Sequence, residues 1–165
     1  MSAFMSNVGG ISEVLLMMLD DAFFAGFAAL GFALLFNVPR QALLACVLFG
    51  ASAHAIRALL LHVGVPIEWA SFIAATLLGL ATVPWSRKVV IPRIVVTVAA
   101  VIPMIPGVYA YNTMTDLMAL HHQGYSQALL QSVVENGLLT IFVLIGLSFG
   151  LAIAPVLIYR DKPII

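Results

Sequence analysis

Charge is what this sequence has least of. Only 8% of its 165 residues are Asp, Glu, Lys or Arg, against about 25% in an ordinary soluble domain. Seven acids cancel seven bases, so no basic surface offers itself to nucleic acid. The single cysteine, Cys46, excludes an internal disulfide and, within an apolar run, reads as packing filler. No nucleophile with a base, glycine-rich phosphate loop or zinc spacing occurs. His121 and His122 are adjacent, and adjacent residues do not share a helix face. The chain is therefore not expected to be an enzyme, nor to carry a cofactor or metal. The opening MSAFMSNVGG lacks a basic n-region, and the apolar run after it is too long for a signal peptide, so the first span is expected to stay in the mature chain.

What remains is hydrophobic: 63% of the residues, with a mean hydropathy of +1.13. At roughly 20 apolar residues per span, such a chain holds four to six membrane helices and no soluble domain beside them. The expectation is an all-α, multi-pass integral membrane protein, residues 1–165 forming a single membrane domain. Five runs stand out, near Ile11–Phe36, Gln41–His62, Ile67–Trp85, Ile94–Leu120 and Ser126–Tyr159. The last would be about 51 Å long as one helix, so it is divided into an amphipathic lead-in through Val134 and a true span after it. Orientation follows from the cations outside the spans. Arg40, Arg87, Lys88, Arg93, Arg160 and Lys162 all fall on one side of a five-span arrangement, while HVGVPIEW and HHQGYS carry none. The positive-inside rule then places the N-terminus outside and the C-terminus in the cytoplasm. Trp69 and Trp85 bracket the third span, about 24 Å apart, as interfacial aromatics do.

Ionisable residues at membrane depth are costly and mark function or a buried partner. In the first span Asp21, Ala25, Ala29, Ala33 and Asn37 share one i, i+4 ridge facing other helices, whereas Asp20 sides with Phe23, Phe24 and Phe27. In the second, His54 and Arg57 lie at i, i+3. Counting about 1.5 Å per residue places Asp21, His54 and Arg57 at similar depths, so all three are expected to meet. Each has two readings. Arg57 holds a carboxylate in its fork of donors, or it snorkels to the headgroups. Asp21 and His54 couple protons, or they are satisfied core groups. Glu135 is a third proton-coupling candidate, on a Gln127, Gln131, Glu135 ridge that faces either a vestibule or water. Ser71, Ala75, Gly79 and Thr82, and likewise Gly146, Gly150 and Ala154, read as small-residue packing surfaces.

The fourth run is interrupted by AVIPMIPGVYAY, residues 100–111. Pro103 offers no amide to the Ala99 carbonyl, nor Pro106 to that of Ile102. The fourth helix is thus expected to break between Pro103 and Gly107 near mid-membrane, with a second half-helix starting at Pro106 and Gly107. Its free amides and positive dipole end would attract an anion. Tyr109, Asn112, Thr113 and Asp116 then form a polar stripe leading outward. Broken helices whose N-termini meet anionic groups recur in secondary transporters. The other reading is a plain proline kink repaired by its neighbours.

FNVP at 36–39, His54 with Arg57, IEW at 67–69, WSR at 85–87, TVAAVIPMIPG at 97–107, GYS at 124–126 and the closing YRDKP together resemble the small, YjjB-like subunit of the bacterial threonine/serine exporter family. The resemblance implies a multi-pass protein of the bacterial inner membrane that works with a larger YjjP-like subunit. It also implies export of a small carboxylate: succinate for the two-subunit form, threonine or serine for the fused form. Combined with the residues, this makes Arg57, Pro106, Gly107, Tyr109, Asn112 and Asp116 candidates for substrate binding, and Asp21, His54 and Glu135 candidates for proton coupling. Two alternatives compete: a scaffold subunit whose polar residues only satisfy the partner's, and a self-assembling channel formed by a homo-oligomer.

Overall fold

Each long apolar run becomes a helix, and proline places the helix starts. The computed structural model describes the backbone of residues 2–159 and the side chains of residues 16–158; the tail cations Arg160 and Lys162 lie outside the described residues. Helices α1 (Ser2–Leu35), α2 (Arg40–His62) and α3 (Ile67–Val89) are followed by α4 (Arg93–Val101), a 3₁₀ turn (Ile102–Met104), α5 (Gly107–Gln123) and α6 (Gln127–Tyr159). Pro39, Pro66, Pro92 and Pro106 stand immediately before α2, α3, α4 and α5, where a fixed φ and a missing N–H cost nothing. Four helices are long and apolar enough to cross a membrane. They become five spans when α4 with its 3₁₀ turn and α5 are taken as one span bent by 55°. Among the described residues there is no strand.

Small residues set how closely the helices approach. The ridge predicted on α1 is the contact surface: Ala25, Ala29 and Ala33 are buried, while Asn37 leaves it to close the α1–α2 turn at φ 54°, a conformation asparagine tolerates. Phe23, Phe24 and Phe27 face outward. Opposite Ala29 lies Gly50 of α2, where an added Cβ would stand 2.6 Å from the Ala29 methyl and 3.5 Å from the Ala100 Cα of α4. This close approach locks α1, α2 and α4 together. The faces Ser71–Thr82 and Gly146–Ala154 pack against each other: a Cβ at Gly150 would come within 2.7 Å of the Phe72 carbonyl oxygen, and one at Gly79 within 2.9 Å of Ala154. Gly146 meets Glu68, Gly150 meets Ala75 and Gly79 meets Ala154. The contacts ascend together, so α3 and α6 run parallel, as first and last members of an odd-numbered set must.

One expectation needs correction. The last run is not divided at Val134. α6 is one helix of 33 residues, because nothing before Pro155 interrupts its hydrogen bonding and its first half is held by α5. Residues 127–145 precede the contact at Gly146 and extend about 28 Å past the start of α3. Together with α5 they form an antiparallel arm. The break follows Ala100, which lies against Gly50 at the centre of α2, and Arg93–Met104 rises about 18 Å before the bend.

The α3–α4 turn places Val90 at φ 57° with its side chain in solvent, a left-handed conformation that costs a β-branched residue about 1–2 kcal/mol. Val90→Gly should raise the melting temperature of the purified protein, by the equivalent of about 1 kcal/mol. Gly150→Leu should lower it by the equivalent of about 1–3 kcal/mol or prevent folding, because the side chain has backbone in its way. Gly107→Ala, whose Cβ would meet nothing within 4 Å, should change it little.

Candidate functional site

The two prolines and the short turn between them set the local backbone. The 3₁₀ turn lets the Ile105 amide donate to the Ile102 carbonyl at 3.0 Å, so that carbonyl, expected to be bare, is satisfied. Pro106 sits at φ −79°, ψ 62°, the geometry of an inverse γ-turn. The Gly107 amide accordingly donates to the Ile105 carbonyl at 2.8 Å. The expectation that Gly107 presents a free amide is therefore incorrect. The unpartnered amides at the start of α5, among the described residues, are those of Val108 and Tyr109, and no side chain caps that helix.

The carbonyls exposed by the break draw polar groups from α2. The Arg57 Nη1 donates to the Met104 carbonyl at 2.7 Å, and His54 lies close to the Pro103 backbone. Arg57 also feels the Tyr109 phenol and the Asp21 carboxylate, and His54 feels both Arg57 and Asp21. The structure thus brings together Asp21, His54 and Arg57, as depth counting along separate helices predicts, and adds Tyr109 from the first turn of α5. Neither His54 nor Arg57 makes a contact ion pair with Asp21 among the described residues.

Two nitrogens in this cluster, Arg57 Nε and His54 Nδ1, are buried without a hydrogen-bond partner among the described residues. A buried polar group left unmade costs about 1–3 kcal/mol, so each invites a missing ligand as its explanation. On a guanidinium, Nε–H and one terminal N–H point the same way and match the two oxygens of a carboxylate. With Nη1 anchored on Met104, Arg57 keeps its Nε side unfilled. His54 presents Nδ1 as an acceptor or proton-carrying position. The Ser71 hydroxyl is likewise buried and unpartnered, inside α3.

The remaining candidates make contacts of their own. Asp116 accepts from the Ser132 hydroxyl at 2.6 Å, and Asn136 donates to the same hydroxyl at 3.1 Å. This fastens α5 to α6. Thr113 turns its hydroxyl to the Tyr109 carbonyl and its methyl toward Gly137, where an added Cβ would lie 3.4 Å away. Asn112 lies half-buried on the same helix. Glu135 is exposed and accepts from Gln131 of its own helix at 2.7 Å, and the structure does not bring it to Asp21 or His54. Asp20 faces outward with the phenylalanines. Pro103 and Pro106 shape the break. Sequence reasoning missed the Met104 carbonyl as the acceptor for Arg57, although the expected helix break beside it was the available signal. Among the described residues no group of three or more His, Cys, Asp or Glu side chains is placed to hold a metal.

Residues 21–157 match the protein family described as Threonine/Serine exporter, ThrE. A curated relative, an uncharacterized protein of Haemophilus influenzae (strain ATCC 51907 / DSM 11121 / KW20 / Rd), is 42% identical over 156 residues, which is 94% of this chain and 52% of the relative. The chain therefore spans about half the length of that relative. No solved structure matches it.

Asp116→Leu should loosen the α5–α6 arm by the equivalent of about 1–3 kcal/mol, leaving Ser132 and Asn136 unpaired, whereas Asp116→Asn should retain most of the clamp. Hydrogen exchange at residues 107–136 reads the difference.

Proposed function

The chain belongs to the threonine/serine exporter family, and we propose that it is one half of a secondary transporter that exports small carboxylates across the bacterial inner membrane with a larger, YjjP-like helical subunit. The observation that carries this is the unfilled side of Arg57. A guanidinium stands at a broken membrane helix, one nitrogen tied to the break and Nε buried without an acceptor. A carboxylate supplies what that nitrogen lacks, with the Tyr109 phenol beside it and the first amides of α5 adjacent. Succinate fits this recognition, as do the α-carboxylates of threonine and serine. Asp21 and His54, within electrostatic reach of Arg57, are placed to exchange a proton as the substrate's negative charge arrives or leaves. The requirement for a second subunit is supported by the relative's length, about twice the matched region.

A second reading is favoured by the same hydrogen bond. Arg57 satisfies the Met104 carbonyl beside the break, and a scaffold subunit needs no more of it. The two readings part at the fork. Arg57→Lys keeps a charge able to reach Met104 but loses the paired donors. If the site binds a carboxylate, export of labelled succinate, threonine or serine by the co-expressed subunits should fall about tenfold or more while the complex still assembles. Undiminished export by Arg57→Lys and Arg57→Gln complexes would assign Arg57 to repair of the break alone. Asp21→Asn should retain substrate-dependent counterflow and lose acceleration by a pH gradient.

A further inference from the structure

At the end of the bundle where α3 begins, an outward-opening groove of about 620 Å³ runs between α3 and α6, lined by Glu68, Trp69, Phe72, Phe142, Gly146 and Phe149 among others. Its floor is low because α6 crosses the first turn of α3 at a glycine: a Cβ at Gly146 would come 3.0 Å from the Glu68 carbonyl oxygen. Its walls are aromatic. The Trp69 and Phe72 rings meet edge to face, with centroids 6.1 Å apart, and Phe142 and Phe149 stand exposed on the α6 side. The half-buried Glu68, in the first turn of α3, has no hydrogen bond or ion pair among the described residues. The groove thus combines one carboxylate without a side-chain partner with several π faces, the pairing that recognises an organic ammonium.

We propose that this groove binds a membrane phospholipid carrying a primary ammonium headgroup. The ammonium sits between the Glu68 carboxylate and the Trp69 ring, and an acyl chain lies along Phe142, Gly146 and Phe149. Charge complementarity selects the headgroup: an anionic lipid would bring its charge against Glu68, and a lipid without an amine would leave Glu68 unanswered. Position selects a lipid over a dissolved amine. The groove opens on the outer surfaces of α3 and α6, with an interfacial tryptophan at its mouth and exposed phenylalanines running away from it. A diffusing amine would leave that apolar length uncovered. The site is separate from the Arg57 cluster and does not depend on the transport reading.

The test is native mass spectrometry of the full chain released from bilayers of equimolar phosphatidylethanolamine and phosphatidylglycerol with matched acyl chains, alone and with any subunit that co-purifies. The wild type should retain phosphatidylethanolamine about five- to tenfold over phosphatidylglycerol, the factor an ion pair combined with a cation–π contact supplies. Glu68→Gln should bring the ratio close to one, Trp69→Leu should reduce it, and N-acetylated phosphatidylethanolamine should lose its advantage in the wild type. Equal retention of the two lipids by the wild type overturns the proposal, and so does a preference that survives Glu68→Gln. Cross-linking of Glu68 to a basic side chain of a co-purifying subunit, with the lipid excluded, would also overturn it and give the groove to that subunit. A melting temperature for Glu68→Gln and Trp69→Leu within a few degrees of wild type distinguishes loss of the ligand from loss of the fold.

Discussion

In hydrocarbon a carbonyl cannot turn to water, so a broken membrane helix must be completed by the rest of the protein. Here the break at residues 102–106 is completed in two ways. Part of it folds on itself, through the 3₁₀ turn at Ile102 and the γ-turn at Pro106. The Met104 carbonyl is met by Arg57, with His54 beside it, and the two bring to the interior the kind of groups a membrane otherwise excludes. The same contacts that make the break tolerable leave two buried nitrogens unused. A structural necessity and a candidate binding site thus occupy one place.

That arrangement depends on close approach between backbones. Gly50 sits between Ala29 and Ala100, which draws α1 and α4 onto the face of α2 just below His54 and Arg57. Larger residues there would hold α2 away from the break and take the guanidinium out of reach of Met104. Association between membrane helices relies on packing, because lipid tails are as apolar as leucine, and alanine and glycine ridges are therefore the means by which Asp21, His54 and Arg57 come together. Past the break the chain changes character. α5 buries none of its residues and is tied to α6 by Asp116, Ser132 and Asn136, forming an arm beyond the start of α3.

Much of this was legible in residue order. Apolar runs bounded by Pro39, Pro66 and Pro92 mark helix starts without reference to tertiary structure, since proline acts on its own φ and on its own missing N–H. The alanine ridge on α1 and the Gly146–Ala154 series read as contact surfaces because helical periodicity is local. The meeting of Asp21, His54 and Arg57 could be inferred from depth alone. Less accessible was the fate of individual hydrogen bonds. Gly107 reads as a free helix start, yet its amide is used by Ile105; that Asp116 holds Ser132 cannot be read from residue order. Whether a polar atom is free depends on what stands within 3 Å of it, and those neighbours come from other helices or from the exact dihedrals of a turn.

The sequence by itself determined that the chain crosses a membrane, where its helices begin, that one of them breaks, and which charged residues lie at comparable depths. These follow from hydropathy, proline geometry and a constant rise per residue. Only the tertiary structure decided that α6 continues unbroken beyond the bundle, that Arg57 grips Met104, and that Glu68 faces aromatic rings without a hydrogen-bond partner among the described residues. Each of these depends on distances between residues far apart in the chain, fixed by how closely glycine and alanine let neighbouring backbones approach.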